Sequence, residues 1–371
     1  MFKKIKCTNV WFIVFSLLVI GFAINESINP TTNTTISLFN YIPVVFGIPM
    51  IVIGALAIGF EIYYLCAKTK NKELLNKIKN IVFAVITSIL TIYFIEYIIL
   101  GVVRTFIEAS ELNKIPVKGE NFWGSVAFII IHKGLDFLKG IGVTVSISLL
   151  GTLIGLILAF VLALLRTVKI NSKDNEFTLF VKKIAINFSK VYIAVFRGTP
   201  MMVQAILIYY LIPFAISQSM GIPMNTMNRI FTWFVAGLIT VSLNTTAYLA
   251  EVLRGSIESL DKGQMEAARS LGMSYPQAMI NVILPQALKN SIPAIGNEFV
   301  INIKDTSVLN VISVIDIYFI ASSIQSQYTR FEEPFLIAAA IYLVLTLTTT
   351  KLLSLIDKKL DVTEKPLPSA N

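Results

Sequence analysis

Glu298, Asn302 and Asp305 recur at i, i+4 and i+7 inside an otherwise apolar stretch, a spacing that puts all three on one face of a helix. Unpaired polar groups are costly in hydrocarbon, so such a face must meet water, a solute or a partner. Two readings fit it, the lining of a polar path and a purely structural hydrogen-bonded network. Lys304 is adjacent in sequence and points about 100° away, toward a carboxylate or carbonyl of another helix. Asn244, Thr245 and Thr246 form a second polar cluster, able either to touch a solute or to hydrogen-bond between helices. Arg197 and Arg254 stand at the ends of apolar runs, where an arginine either snorkels to the interface or forms a gating salt bridge. Gly151 and Gly155 give a G-x-x-x-G face suited to close helix packing, within the chain or in a dimer.

These groups do not add up to catalytic machinery. A membrane-embedded enzyme needs an intramembrane nucleophile or a metal cluster, and the sequence offers neither. The single histidine, His132, has no His or Cys cluster near it in sequence, which argues against a metal site or a His-dependent triad. No G-x-x-x-x-G-K-[ST] loop is present, so ATP binding by that route is not expected and energy must come from another chain. The two cysteines, Cys7 and Cys66, fall on one expected side of a membrane and suggest neither a disulfide framework nor a zinc site.

The elements that hold these residues are apolar. Hydrophobic residues make up 55% of the 371, charged residues 14%, and mean hydropathy is +0.75, too apolar for the surface of a soluble chain of this length. Runs long enough to cross a ~30 Å hydrocarbon core as helices cover Val10 to Ile24, Val44 to Ala67, Ile81 to Arg104, Leu138 to Leu165, Val191 to Phe214, Ile230 to Leu253, Ala294 to Phe319 and Phe335 to Ile356. The expected fold class is therefore an all-α membrane protein of about eight transmembrane helices. The first run follows Lys3, Lys4 and Lys6, as a signal peptide would, but only Asn25-Glu26-Ser27 follows it, not a small-residue cleavage site.

Lysine-rich and lysine-poor loops alternate with the runs. Lys68, Lys70, Lys72, Lys77 and Lys79 crowd one expected loop, and Arg166, Lys169, Lys173, Lys182, Lys183 and Lys190 another. The stretch Asn25 to Pro43 has no Lys or Arg, and the stretches around Gln218 and Gln325 have only Arg229 and Arg330. Under the positive-inside rule both termini are cytoplasmic, and the net charge of +9 reflects orientation, not nucleic acid. The external stretches are short, the longest from Thr105 to Phe137, too short for a substrate-binding domain of ordinary size.

The most informative loop follows the sixth run. Asp261 can cap a short helix with Gln264 three residues on, Gly272 can end it in a left-handed conformation, and Ser274 with Gln277 can start a second that Pro285 closes. Between them Glu266-Ala267-Ala268 leaves a slim turn able to enter another protein's groove.

Here the sequence resembles the integral membrane subunits of ABC importers, whose cytoplasmic signature is E-A-A, a Gly four residues later and a Pro further on. Arg197-Gly198-Thr199-Pro200 with Gln204 is similar to the R-G-T-P-x-x-x-Q motif of the polar amino acid permeases. Leu243-Asn244 through Arg254-Gly255, and Asn297-Glu298-Phe299 with Lys304-Asp305-Thr306-Ser307, resemble two of their core helices. The likeness runs from about Phe137 to Asp357 and departs at Thr246, where a small residue is usual, and at Lys289, where Arg is common.

The resemblance implies a five-helix type I permease core at 137–357, preceded by a three-helix extension at 1–104 and an external connection at 105–136, and followed by a tail at 358–371. The role of the extension, with Glu61 and Glu96 inside it, is not readable. The resemblance further implies an ATPase-coupling loop carrying Gln264, Glu266, Ala267, Ala268, Gly272 and Pro285. It implies a substrate path including Asn244, Glu298, Asn302, Asp305 and Ser307, with Arg197, Gln204, Arg254 and Lys304 as gate or structural residues. ATP and Mg would be used by partner ATPase subunits, with no cofactor on this chain. An extracytoplasmic solute-binding protein, a second permease copy or paralogue, membrane lipid and an amino acid substrate complete the expected partners. A permease for methionine, an opine or another small solute is the alternative.

Overall fold

The computed structural model describes residues 54–59, 72–94, 99–118, 121–168, 170 and 174–360, together with Val14 and Leu17. The expected runs Val10 to Ile24 and Val44 to Ala67 lie largely outside these residues, as do Cys7, Cys66, Glu61 and Glu96. The chain divides into two compact units, Met1–Ile131 and His132–Asn371. In the first, helices α1 (Lys72–Phe94) and α2 (Gly101–Glu111) are described. Lys72, Lys77 and Lys79 thus sit on a helix and not in the expected loop.

Helix α3 (Phe122–Thr167) is 46 residues long, starts well before the expected Leu138, and contributes its later turns to the second unit. It is followed there by α4 (Glu176–Gly198), α5 (Met201–Met220), α6 (Met224–Ile230), α7 (Trp233–Glu258), α8 (Lys262–Ser270), α9 (Tyr275–Ala278), α10 (Leu284–Asp305), α11 (Ile317–Tyr328) and α12 (Glu332–Leu360). The described residues form helices and no strands. Among the described residues, four helices are long and apolar enough to cross a membrane, or five if the bent pair Tyr275–Ile312 and Ile317–Tyr328 is one span.

The expected run Val191 to Phe214 is not one helix. Pro200 has no N–H to donate to the carbonyl of Phe196, so α4 ends at Gly198, Thr199 turns extended, and α5 begins at Met201. Lys182, Lys183 and Lys190, expected in a loop, therefore stand on α4. The expected run Ala294 to Phe319 is also broken. After Asp305 the chain tightens to a 3₁₀ turn (Thr306–Ile312), passes through Ser313 at φ 61°, and resumes as α11 with a 49° bend.

Two prolines are absorbed without a break. Pro213 and Pro285 each follow a π turn, Leu207–Leu211 and Met279–Ile283, by two residues. The wider turn accommodates the carbonyls that a proline leaves unpaired. Pro285 consequently does not close the second helix of the loop; it lies in the first turn of α10.

Small residues set the core spacing. A Cβ on Gly151 would come within 2.6 Å of Val241 Cγ1, and one on Gly155 within 2.9 Å of Thr245 Cβ. The G-x-x-x-G face of α3 is therefore spent on α7 within the chain, not on a dimer contact. Ile147, Ala205, Ala236, Val241 and Leu309 form one buried layer, and Ala159, Leu162, Ala247, Leu249 and Leu253 another. Helix α7 packs on α4 and α10, and α10 on α12.

Candidate functional site

The break at Pro200 builds the site. Gln204, 6% exposed, stands one turn into α5, where its amide faces back to the end of α4. Its Nε2 donates to Phe196 O at 2.9 Å and Thr199 O at 3.0 Å, with Thr199 Oγ1 also at 2.9 Å. Its Oε1 accepts from Asn244 Nδ2 at 3.1 Å. Phe196 O is the carbonyl that Pro200 leaves without its helical donor, so Gln204 repairs the break and joins it to α7. Tyr192 OH adds a bond to Leu243 O at 2.8 Å.

Beside this seam lies a cavity of about 470 Å³ lined by Arg197, Asn244, Tyr248, Glu298 and Asp305, with Gly198 to Met201 and Ile301. Its size is within the roughly 300–1,000 Å³ of small-molecule sites. The Arg197 guanidinium carbon lies 5.2 Å from the Tyr248 ring centroid, so the charge rests against an aromatic face. One cation and two carboxylates share the cavity with an amide. Arg197 is thus a cavity residue, although the sequence suggested a membrane-edge position. Tyr248 belongs to the Leu243 to Gly255 block that carries the resemblance but is not among the expected path residues; its place four residues after Asn244, on the same helical face, brings it to the cavity.

The face expected to carry Glu298, Asn302 and Asp305 is divided. Glu298 and Asp305 line the cavity, but Asn302 is 3% exposed and its Nδ2 reaches Thr152 Oγ1 and Thr245 Oγ1, each at 2.9 Å. The wheel explains the split. Taking Glu298 as zero, Ile301 lies about 60° to one side and Asp305 about 20°, whereas Asn302 lies about 40° to the other, toward α3 and α7. Ser307 does not line the cavity, and its hydroxyl donates to Lys304 O at 2.7 Å. Lys304 is exposed. Thr246 fits its crowded position by donating to Ser242 O at 2.6 Å, with Gly155 O at 3.3 Å.

At the far end of α7, Glu251 pairs with Arg166 of α3 and with Arg254 at 2.9 Å, and Arg254 continues to Glu258 at 2.5 Å. Arg254 is therefore part of an intrachain ion-pair chain that ties the ends of α3 and α7. The sequence carries no signal for the Arg166–Glu251 pair, because residues 85 apart share no periodicity.

The loop between α7 and α10 folds largely as its capping residues dictate. Asp261 Oδ1 accepts from Gly263 N at 2.9 Å, Gly272 takes φ 87°, and Ser274 and Gln277 form a reciprocal capping box. Gln264 does not complete the first cap; its Oε1 lies 3.4 Å from Gln286 Nε2. Ala268 is 4% exposed, Glu266 and Ala267 are exposed, and Leu271 is 82% exposed. Met265 packs against the cluster of Met279, Ile283 and Leu284, which seats α8 on the π turn that leads into α10.

Residues 177–362 match the family described as binding-protein-dependent transport system inner membrane component. The arginine transport system permease protein ArtQ of Bacillus subtilis (strain 168) is 34% identical over 223 residues, 60% of this chain and 91% of that protein. A putative glutamine transport system permease protein GlnP of Rickettsia typhi is 32% identical over 62% of this chain and 95% of its own length. The octopine transport system permease protein OccM of Rhizobium radiobacter is 31% identical over 59% and 84%. A solved structure described as an amino acid ABC transporter with histidines is similar at 36% identity and TM-score 0.52, over 62% of this chain and 97% of that one.

Proposed function

Since the chain belongs to the binding-protein-dependent transport system inner membrane component family, we propose that its Arg197–Glu298–Asp305 cavity is where a polar amino acid crosses the membrane. The chain is a permease subunit of an ABC importer, a family whose ATPase is a separate subunit. The observation that carries the reading is the grouping of a guanidinium, an amide and two carboxylates from three helices around one cavity. A zwitterion fits that set. Its carboxylate suits Arg197, which can present two N–H groups in parallel, and its ammonium suits Glu298 and Asp305. The names of the relatives, arginine and glutamine systems, support a polar amino acid; octopine keeps an opine as the second reading.

In this reading both termini face the cytoplasm and a solute-binding protein delivers the amino acid to a pore shared with a second permease copy or paralogue. The α8 loop, with Glu266, Ala267, Ala268 and Gly272, docks on the ATPase. Its exposed Leu271 and slim alanine turn suit insertion into a groove. The chain itself hydrolyses nothing.

Uptake of labelled amino acids by the assembled complex tests the cavity, normalised to the amount of complex. Glu298→Gln and Asp305→Asn should assemble and transport more slowly, whereas Asn302→Leu, which removes a buried bridge, should lower the yield of folded protein. If both cavity variants assemble and transport at the original rate, the path lies elsewhere.

A further inference from the structure

Helix α4 exposes two stripes of opposite character. Phe177, Phe180, Ile184, Phe188, Val191 and Val195 are exposed along one side, an apolar face suited to lipid. Lys183, Asn187, Lys190, Ala194 and Arg197 are exposed along another, with no large apolar side chain among them. The third side is packed inward, where Ser189 Oγ donates to Leu162 O at 3.1 Å and Lys182 pairs with Asp174 at 2.7 Å. Lys183, Lys190 and Arg197 recur every seven residues, so each step turns the side chain by only ~20° and advances it by ~10 Å. Lys190, one step down the helix, therefore points within ~20° of the direction in which Arg197 meets the cavity, and Lys183, two steps down, is turned ~40° from it.

A charged stripe ~20 Å long is expensive against hydrocarbon and is expected to face water or protein. Ser189 is bonded to Leu162, one turn from Arg166, so Lys190 lies between the cavity and the end of the core marked by Arg166 and Glu251. We propose that the Lys183–Lys190–Arg197 stripe lines the exit half of the translocation route, handing the carboxylate of the departing amino acid from Arg197 to Lys190 to Lys183. This rests on the amino acid reading of the cavity. It assigns exit to a helix that supplies no residue to the coupling loop. The two lysines act as positioning residues for release.

The test uses the complete complex in nanodiscs of zwitterionic lipid, with Cys7 and Cys66 replaced by serine. Lys190→Cys and Lys183→Cys should react with a small anionic, membrane-impermeant thiol reagent at least about tenfold faster than Phe188→Cys on the apolar stripe. In proteoliposomes, Lys190→Gln should lower the maximal uptake rate about fivefold, the scale of one exposed charge pair. The concentration giving half-maximal uptake should stay unchanged, and Lys190→Arg should restore the rate. If Lys190→Cys is as unreactive as Phe188→Cys, lipid or the second permease covers the stripe and the proposal is overturned. It is equally overturned if the cysteine reacts but Lys190→Gln transports normally. A complex that moves another solute and no amino acid overturns the substrate reading and the carboxylate hand-over with it, whereas unreactive cysteines in a complex that does move amino acids overturn the stripe alone.

Discussion

Replacing Gln204 by methionine, which matches its length but carries no polar atom, should open the seam between α4, α5 and α7. The wild-type amide satisfies two backbone carbonyls at 2.9 and 3.0 Å, approaches a hydroxyl at 2.9 Å, and accepts from Asn244 at 3.1 Å. Hydrogen bonds in membrane proteins contribute on average about 0.6 kcal/mol each, so four contacts amount to about 2.4 kcal/mol. Leaving a buried carbonyl without a donor costs about 1–3 kcal/mol, and Phe196 O would retain only the long 3.4 Å approach of Asn244 Nδ2. The two routes agree on roughly 2–3 kcal/mol. Denaturant unfolding of the purified chain in mixed micelles reads this as a lower midpoint at unchanged slope. Asn244→Ala should cost less, and the double variant should be less destabilised than the sum of the two singles, since they share one bond. A Gln204→Met loss below about 0.5 kcal/mol would refute the view that this side chain repairs the proline break.

Gly155→Val should destabilise the core by about 1–3 kcal/mol, because its Cβ would stand 2.9 Å from Thr245 Cβ and 3.1 Å from Ser242 O. Gly142→Ala, with nothing within 4 Å of the added carbon, is the matched control and should be neutral or slightly stabilising when both are unfolded in parallel. Gly272→Ala places a side chain at φ 87° and should cost about 1 kcal/mol or more. Co-purification with the ATPase should fall accordingly, and full retention in both Gly272→Ala and Glu266→Lys would remove the α8 loop as the dock.

Residues close in sequence were read well from their chemistry. Asp261, Gly272 and the Ser274–Gln277 pair do what their types dictate, because capping is settled within four residues. What failed was of two kinds, local signals that hydropathy does not weigh and contacts made far along the chain. Hydropathy carried one span across Pro200, since it sums apolarity and is blind to a missing N–H. It also placed Lys190 in a loop, although α4 can hold a charged stripe beside an apolar one. Spacing alone grouped Asn302 with Glu298 and Asp305, but a 40° offset is enough to turn a side chain from a cavity to a packed interface. Which of two polar side chains meets the cavity is decided by where α3 and α7 lie.

That same Asn302 constrains how transport can work. Its amide reaches Thr152 on α3 and Thr245 on α7 from α10, in a site 3% exposed. Glu251 ties α3 to α7 again at one end, and Gln204 ties α4 and α5 to α7. Opening a gap between these helices would strand several buried polar groups, each at about 1–3 kcal/mol. Alternating access by separation of helices within this chain is therefore disfavoured. In the proposed importer, motion entering at α8 would reach the π turn Met279–Ile283 through Met265, and α10 continues from it as a helix over ~21 Å from Leu284 to Glu298, with Pro293 inside it. On that reading the described core would move as one body. In the proposed importer, the change between outward and inward states falls at its contact with the second permease.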